Sequence, residues 1–211
     1  MEIDDILPFE EIQKRFGGEV TRRTGSLQDL DLGMTYEPFE IGSAIGNAWW
    51  RICHEKGFKT DAINDYPTFV FDEGERRPTF GRPALTAIED LIGEPLFKAM
   101  SYSKCFVGDK KCAELFVAET FPDVLHLGHV EFLNFHHPIP PDLRICPTRT
   151  HYGLGLLGTL VERMKRYAKE KSRDSITLTA AHPTLLPLFE THGFRLSAYG
   201  DADRRLMELK V

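Results

Sequence analysis

The sequence predicts a layered α/β or α+β domain, in which a mixed, strongly twisted sheet is flanked by helices. Its last third carries the prediction, because a long amphipathic helix is followed by an apolar strand, a short helix and a hairpin. Alternating and apolar segments in the middle of the chain supply further strands. Hydrophobic residues make up 42% of the 211 residues, which is enough for one sizeable core, so we expect residues 1–211 to form a single domain.

The N-terminal part, residues 1–90, is expected to add helices and part of a first strand. Residues 3–16 place apolar side chains three and four positions apart, and a pair of glycines follows them. This pattern predicts a helix that ends at Gly17. The other elements predicted before residue 101 are a helix over 43–56, a strand over 68–71, a loop over 72–83 and a helix over 84–100 that is interrupted or ended near Gly93 and Pro95.

The middle of the chain, from 104 to 136, is the least decided part. Strict alternation over 129–136 predicts a strand, whereas 114–121 fits a strand or a helix equally well. Residues 137–141 contain three prolines, which exclude a regular helix or a central strand there. A short strand is predicted over 142–146.

Periodicity decides the C-terminal third. Residues 153–171 form an amphipathic helix with a charged outer face. Its predicted core stripe consists of Leu157, Leu160, Val161, Met164, Tyr167 and Ala168. The elements that follow are a buried strand over 175–181, a short helix over 183–193 between a proline and a glycine, and a hairpin of strands over 194–199 and 205–210.

Charge and cysteine content narrow the class of protein. The net charge is −6, and such an acidic chain is a poor match to a duplex nucleic-acid binder, whose affinity comes from neutralised phosphates. The four cysteines form no Cys-x-x-Cys pair, which favours thiols in a reducing compartment. No basic-then-apolar leader and no bilayer-length apolar run is visible, so we expect a cytoplasmic protein without a membrane segment. The histidines at 126, 129, 136 and 137 match no zinc signature, and no metal site is predicted.

The segment from Leu143 to Gly155 carries the functional signal. It places a short strand, a tight loop with two glycines, and then the first turn of a long helix. Such a loop aims backbone N–H groups at one point, where the helix dipole adds positive charge, so a pyrophosphate fits there. Gly158 formally completes a dinucleotide-binding fingerprint, but the elements that follow are not further βαβ units, and that interpretation ranks lower.

Together with a second stretch, this segment resembles the GNAT superfamily of N-acetyltransferases. The family pattern is hydrophobic-x-hydrophobic-x-Pro, then Arg or Gln, two residues and Gly-x-Gly. Its places are taken here by Leu143, Ile145, Pro147, Gly153 and Gly155. The stretch 182–194 resembles the family's Asn-x-x-Ala-x-x-Phe-Tyr-x-x-x-Gly-Phe segment, and a closing hairpin follows in both. The resemblance covers residues 129–211, which it identifies as a coenzyme A-binding core.

This resemblance implies an acyl-CoA-dependent N-acyltransferase that moves an acetyl group from acetyl-CoA to an amine by direct attack. The backbone of 150–155 would cradle the coenzyme A pyrophosphate, and a strand ending at Ile145 and Cys146 would pair with the pantetheine arm. His182 and Phe189 would lie near the thiol end and the far side of that arm. The implied cofactor-binding residues are Leu143, Ile145, Cys146, Thr150, His151, Tyr152, Gly153, Leu154, Gly155, His182 and Phe189. The acceptor would be a small molecule or a protein amine.

Three positions depart from the family pattern. Thr150 stands where the family has Arg or Gln, with Arg149 one position early, and His182 replaces an asparagine. Phe189 replaces the tyrosine that many members use as general acid toward the leaving thiolate, and a phenyl ring cannot donate a proton. The proton must then come from solvent or from another group. The candidates are Tyr152, Tyr199, His182 and His192.

A general base must also deprotonate the attacking amine, and Glu131 is our first choice. It is an acid inside an otherwise apolar strand, where burial would raise its pKa toward the range that a base needs. The alternative is that Glu131 is an outward-facing charge on a half-solvated strand. His129 shares its face and is the alternative. The alignment leaves two registers open, because 133–138 also resembles the end of the family's fourth strand, which makes 139–148 an insertion. If instead the family's fourth strand corresponds to the segment with Leu143 and Ile145, Glu131 lies one strand earlier, and its assignment as the general base is weaker.

Two other functions fit the same residues. Transfer of a longer acyl chain, as in GNAT-like N-acyl amino acid synthases, requires an apolar tunnel beyond the thiol. A non-catalytic sensor of coenzyme A or acyl-CoA would explain Phe189 and His182, and it would bind the cofactor without acyl transfer. The hairpin and the sheet edges offer surfaces that could support a homodimer.

Overall fold

The computed structural model describes residues 1–26, 51–52, 89–90, 92–146, 149–197 and 205–211. This part contains a mixed, mostly antiparallel sheet with helices against it, which confirms the predicted fold class. The helices are α1 (Phe9–Phe16), α2 (Leu157–Glu170) and α3 (Leu186–Glu190). The strands are β1 (Val20–Ser26), β2 (Phe97–Val107), β3 (Lys110–Thr120), β4 (Val124–Pro138), β5 (His151–Gly153), β6 (Ser175–Thr179), β7 (Arg195–Leu196) and β8 (Leu206–Lys210).

The strands are ordered β1-β2-β3-β4-β6-β8-β7, and β5 pairs with the far end of β4. All of these pairs are antiparallel except β4 with β6. A parallel pair needs a crossover connection, and here it contains β5 and α2. Because α2 runs back from the end of β4 to the start of β6, its N-terminus lies at the carboxyl ends of these two strands.

The main core lies between α2 and the sheet. As predicted, α2 buries one stripe of side chains, while Leu157 at its start is only half-buried. The buried stripe consists of Leu160, Val161, Met164, Tyr167 and Ala168. It joins one apolar cluster with side chains of β3, β4, β6 and β8, among them Leu115, Leu125, Leu127, Ile176 and Met207. Burial of these side chains is the largest favourable contribution to folding.

The N-terminal helix is shorter than predicted. Residues Ile3–Asp5 form a 3-10 turn, Pro8 precedes α1, and the chain leaves the helix at Gly17 in a left-handed conformation. Arg163 of α2 ties this segment to the core, because it donates to the Leu7 carbonyl at 3.0 Å and pairs with a glutamate of α1 at 3.2 Å. β1 follows and supplies the strand expected in the N-terminal part.

One predicted element in the described residues is wrong, a second is wrong in part, and one ambiguity is resolved. The helix predicted over 84–100 ends near Gly93, at the predicted interruption, but its last part is wrong, since Phe97 begins β2 and the side chains of Phe97 and Met100 are buried in the sheet. The strand predicted over 142–146 is absent, since Pro141–Leu143 form a 3-10 turn closed by a hydrogen bond from Leu143 N to Pro140 O at 2.9 Å. Residues 114–121, which fitted either element, belong to β3 up to Thr120.

Several predictions concern the part of the chain that is not described. The predicted strand over 68–71, the loop over 72–83 and Tyr199 all lie outside the described residues. The helix predicted over 43–56 is described only at 51–52, and these two residues are helical. The C-terminal helix, strand, short helix and hairpin are confirmed in type and order, with β7 and β8 pairing through Arg195↔Glu208. The long helix, predicted from residue 153, begins only at Leu157, because His151–Gly153 pair with β4 as β5.

A buried ion cluster joins the β3–β4 turn to the connection between α2 and β6. Arg173 donates to Glu119 Oε2 at 2.6 Å and to Asp123 Oδ1 at 2.7 Å. Tyr167 of α2 donates to the other oxygen of Glu119. Burial and this hydrogen bond raise the pKa of Tyr167, so its hydroxyl remains a donor at physiological pH. The cluster fixes the end of the sheet from which β4 and β6 both start.

Candidate functional site

Strands β4 and β6 form a gap in the sheet. They pair from Val124↔Ser175 to Leu127↔Leu178. On the same side of β4, pairing resumes with β5, at Leu133↔Gly153. The stretch 128–132 of β4 therefore separates the two pairings, and the gap lies between Leu127 and Leu133. Main-chain groups along such an edge can pair with an extended, amide-containing ligand.

A β-bulge lies at the end of the gap next to Leu127. In the pairing of β3 with β4, Phe116 faces His129 and Val117 faces Leu127, so Gly128 is the extra residue. A Cβ atom at Gly128 would overlap the buried Phe116 ring, which explains a glycine at this point. Bulges bend a strand and re-aim its side chains. Here the bulge brings His129 and Glu131 to the face of the sheet opposite the main core.

His126 lies just before the bulge, where β4 and β6 still pair. Its Nδ1 is 3.0 Å from the Thr177 hydroxyl oxygen of β6. Its exposed fraction is 1%, and Nε2 has no hydrogen-bond partner among the described residues. Burial lowers the pKa of His126 to about 4. The ring is therefore neutral at physiological pH.

We expect the protein to lose stability as the pH falls from about 6.5 toward 4. In this window the histidine of the unfolded chain binds a proton that buried His126 excludes, so acid favours unfolding. Between pH 7 and pH 5 the expected loss in the free energy of unfolding is about 2 kcal/mol. Urea unfolding at both pH values measures it. His126→Gln should remove most of the difference and His136→Gln, at an exposed position, should keep it; equal losses in both variants would contradict the assignment to His126.

The predicted glycine loop lies at the β5 end of the gap. Leu154 N donates to Phe132 O at 3.3 Å, which holds the loop against β4. Gly155 has φ +72°, and a Cβ atom there would meet nothing within 4 Å. α2 begins after Leu156 without a side-chain cap among the described residues. Its first N–H groups are therefore left for solvent or a ligand, and together with the helix dipole they suit a phosphate group.

The segment between β4 and β5 is a closed loop that returns toward β6. Its neck is a hydrogen bond from Ile139 N to Thr150 O at 2.9 Å. Near its tip, Ile145 O accepts from the Thr184 hydroxyl at 3.0 Å, so the loop reaches the residues that follow β6. Leu143 and Ile145 are exposed and Cys146 is buried. No strand forms over 142–146, so the contact of Leu143, Ile145 and Cys146 with a pantetheine arm stays a prediction, and β4 ends at Pro138, where the second register places the start of an insertion.

A cluster of charged groups lies beside the gap. Glu131 Oε2 is 2.7 Å from Lys111 Nζ, and the same ammonium donates to Glu114. Lys104 Nζ lies 2.7 Å from Glu114 Oε1. Burial alone would raise the pKa of Glu114, but its hydrogen bonds and ion pairs with the two lysines lower it below the usual value. Glu131 is partly exposed and ion-paired, which agrees with an outward-facing charge on a half-solvated strand and not with burial among apolar side chains.

His129 belongs to the same cluster. Ligand atoms of Glu114, His129 and Glu131 all lie within 4.8 Å of one another. This spacing could hold a cation, but two ammonium groups already neutralise the carboxylates, and we assign the cluster to ion pairing. The sequence predicted His129 and Glu131 as site residues but not Lys104, Lys111 and Glu114. Only the register of β2, β3 and β4 brings these three residues close to Glu131.

The remaining predicted site residues lie around the loop and α3. Phe189 is buried and packs edge-to-face on Phe194, with ring centroids 6.1 Å apart. His182 precedes a 3-10 turn and accepts from Thr184 N at 3.3 Å. Tyr152 is exposed on β5, and the neighbouring Thr150 hydroxyl is 2.9 Å from the Nδ1 of His151. His192 lies against the first turn of α2, where a Cβ atom at position 158 would be 3.3 Å from its ring.

Comparisons with known proteins give structural similarity only. No protein-family model matches the sequence, and no curated protein is significantly similar to it. The PaiA N-acetyltransferase from Thermoplasma acidophilum, solved in complex with coenzyme A, is 10% identical with a TM-score of 0.38, over 91% of this chain and 99% of that one. An acetyltransferase from Streptococcus agalactiae is 13% identical with a TM-score of 0.35, over 92% and 99%. A Bacillus subtilis acetyltransferase in complex with CoA is 15% identical with a TM-score of 0.34, over 61% and 85%.

No helix in the described part of the chain is long and apolar enough to span a membrane.

Proposed function

We propose that the chain is an acyl-CoA-dependent N-acyltransferase, and that its reaction is acetyl transfer from acetyl-CoA to an amine. One juxtaposition carries the proposal. A glycine loop at an uncapped helix N-terminus is held by the Leu154–Phe132 hydrogen bond at one end of a gap in the sheet, and an acid and an imidazole on β4 lie beside that gap. The first feature suits a pyrophosphate, the second an extended arm, and the third a proton transfer.

The described residues fit coenzyme A in this orientation. The pyrophosphate would bind the N–H groups around Gly155 and the first turn of α2, where the helix dipole favours negative charge. The stretch 128–132 spans roughly 13 Å at about 3.3 Å per residue step, which accommodates the two amides of a pantetheine arm. The arm would run from the loop toward the bulge, and the thioester would reach the face that carries His129 and Glu131. Bound acetyl-CoA supplies an activated carbonyl for attack by the amine.

Glu131 is proposed as the general base. An ammonium has no lone pair, so the acceptor must lose a proton before its nitrogen can form a bond to the carbonyl carbon. The carboxylate of Glu131 would take this proton directly or through water before the attack. After the nitrogen has bonded to the carbonyl carbon, its second proton would pass by the same route to solvent, and the carbon–sulfur bond would break with its electron pair leaving on the thiolate. His129, within 4.8 Å of the carboxylate, is the alternative acceptor. The partial exposure of Glu131 allows solvent to carry the proton away.

The leaving thiolate needs no strong acid. A free thiol has a pKa near 8.5, so the thiolate is a stable leaving group and solvent can protonate it near neutral pH. Phe189 cannot serve as a donor, and its ring is packed against Phe194. Tyr152, exposed on β5, His182 and His192 remain candidates in the described part, and Tyr199 remains one outside it.

We further propose that residues 1–211 form one domain with 129–211 as its cofactor-binding core. The acceptor, a small molecule or a protein amine, would approach the face of the sheet that carries the charged cluster. The N-terminal part contributes Arg51 to this face, where it forms a 2.5 Å ion pair with Glu208 of β8. A sensor that binds coenzyme A without turnover is the second candidate, because the aromatic ring at Phe189 offers no proton.

Calorimetric titration with coenzyme A and acetyl-CoA tests the binding half of the proposal, and thiol release over a panel of amines tests the reaction. We expect binding of both ligands and thiol release that depends on the amine. Binding without release from acetyl-CoA, but with release from a longer acyl-CoA, would assign a longer acyl donor. Binding without any release would favour the sensor, and absence of binding at high micromolar concentration would overturn the proposal.

Gly155→Ala should weaken coenzyme A binding about tenfold or more. A side chain at φ +72° costs about 1–2 kcal/mol, and the added methyl group stands where the pyrophosphate approaches. Gly17→Ala is the matched control, because Gly17 has φ +77° and equally open surroundings but lies at the end of α1. Calorimetry should give reduced affinity in the first variant alone; equal affinities would contradict the assignment of the loop.

A further inference from the structure

We propose that Lys111 and Glu114 are positioning residues for Glu131, in that buried Glu114 fixes the Lys111 ammonium beside the Glu131 carboxylate, and this ammonium orients the carboxylate and shields it from the charge of Glu114. The inference rests on the proposed function, because it assigns how the base of that reaction is held. Neither residue is expected to contact the substrates.

The pairing of β3 with β4 creates the need for a cation at this point. Glu114 and Glu131 face each other directly across the two strands. Two carboxylates in such a pair repel each other, which destabilises the pairing unless a positive charge lies between them. Lys111 supplies that charge, since its Nζ contacts Glu114 Oε2 and lies 2.7 Å from Glu131 Oε2.

The two carboxylates differ in burial, and this difference gives them different roles. The side chain of Glu114 is 11% exposed, whereas that of Glu131 is 29% exposed. Lys104 of β2 occupies the second oxygen of Glu114, so each of its oxygens has its own ammonium. Glu114 is therefore the fixed end of the cluster, and Glu131 is the end that solvent and an acceptor can reach.

The direction of the coupling follows from the charges that face Glu131. Among the described residues these are Lys104, Lys111, Glu114 and the imidazole of His129. Burial alone would lower the pKa of Lys111, but its hydrogen bonds and charge interactions with Glu114 and Glu131 raise it, so the ammonium is retained. Without that ammonium, Glu131 would face the Glu114 carboxylate directly and would take up a proton at higher pH.

The pH dependence of kcat/KM tests this role, because a merely structural contact would not move it. In Lys111→Met the acid limb of the profile should move to higher pH by about one unit. At pH values on this limb, kcat/KM should therefore be about tenfold lower than in the wild type. Lys111→Arg should restore most of it. Lys165→Met is the matched control, since Lys165 also forms an i,i+3 ion pair with a glutamate at 2.7 Å and is similarly exposed. Its profile should coincide with that of the wild type. An unmoved limb in Lys111→Met would overturn the inference.

A measurement without turnover separates this inference from the proposed function. NMR titration of the Glu131 side-chain carboxyl carbon, with no cofactor present, should place its midpoint at higher pH in Lys111→Met than in the wild type. Lys111→Gln, which keeps a hydrogen-bond donor without the charge, gives the same test if the methionine variant does not fold. A displaced midpoint in a protein that transfers no acyl group would sustain the ion-pair coupling and reject the function. Acyl transfer with an unmoved midpoint would sustain the function and reject the positioning role.

Discussion

Replacing Glu131 with glutamine is expected to lower kcat for acyl transfer by about 10²–10⁴-fold, with little change in the affinity for acetyl-CoA. The amide has the shape of the carboxylate but cannot accept the proton of the acceptor amine. The proposed cofactor contacts come from main-chain groups of the loop and of β4, which the substitution leaves in place. Steady-state kinetics at saturating acceptor and calorimetry with acetyl-CoA measure the two effects separately.

Two further variants make this result specific. Glu162→Gln removes a carboxylate from the exposed face of α2, where Glu162 pairs with Lys165 at 2.7 Å, and it should leave kcat unchanged. His129→Gln tests the alternative base. A larger loss in His129→Gln than in Glu131→Gln would transfer the role to the imidazole, and full activity in both would remove the proposed proton transfer from this strand.

The C-terminal third of the fold was predictable because its signals are local. The apolar stripe of α2 repeats at helical spacing over 14 residues. A proline at the start and a glycine at the end mark the predicted helix over 183–193, within which α3 lies. The same reasoning failed at Phe97, where the local pattern fits a helix. There, pairing of β2 with two neighbouring strands buries side chains that a surface helix would expose.

The site also contains a part that the local sequence predicts and a part that it does not. The glycine loop could be predicted because the residues of its turn and of the following helix start are consecutive in the sequence. The segment 142–146 was misjudged, since its apolar alternation suggested a strand, while Pro140 and Pro141 remove two backbone donors and favour a turn. The lysines at 104 and 111 and Glu114 could not be connected to Glu131 from sequence, because only the register of β2, β3 and β4 sets their distances.

Arg173→Met is expected to produce the largest loss of stability, about 3–5 kcal/mol in the free energy of unfolding. Arg173 is the partner that neutralises Glu119, whose side chain is 7% exposed, and it also binds Asp123 at the β3–β4 turn. Removing the guanidinium leaves a buried carboxylate with the Tyr167 hydroxyl as its remaining described donor. The loss arises mainly from this uncompensated charge, because methionine replaces much of the apolar volume of the arginine stem.

This cause can be separated from a loss of packing. If the uncompensated charge is responsible, Glu119→Gln in the Arg173→Met background should recover part of the stability, because the amide carries no charge and can still accept from Tyr167. Arg166→Met, at an exposed position of α2, should change the unfolding free energy by less than about 0.5 kcal/mol. Urea unfolding of the three variants measures these differences. A double variant no more stable than Arg173→Met would mean that packing of the arginine stem, and not neutralisation of Glu119, holds the α2–β6 connection to the sheet.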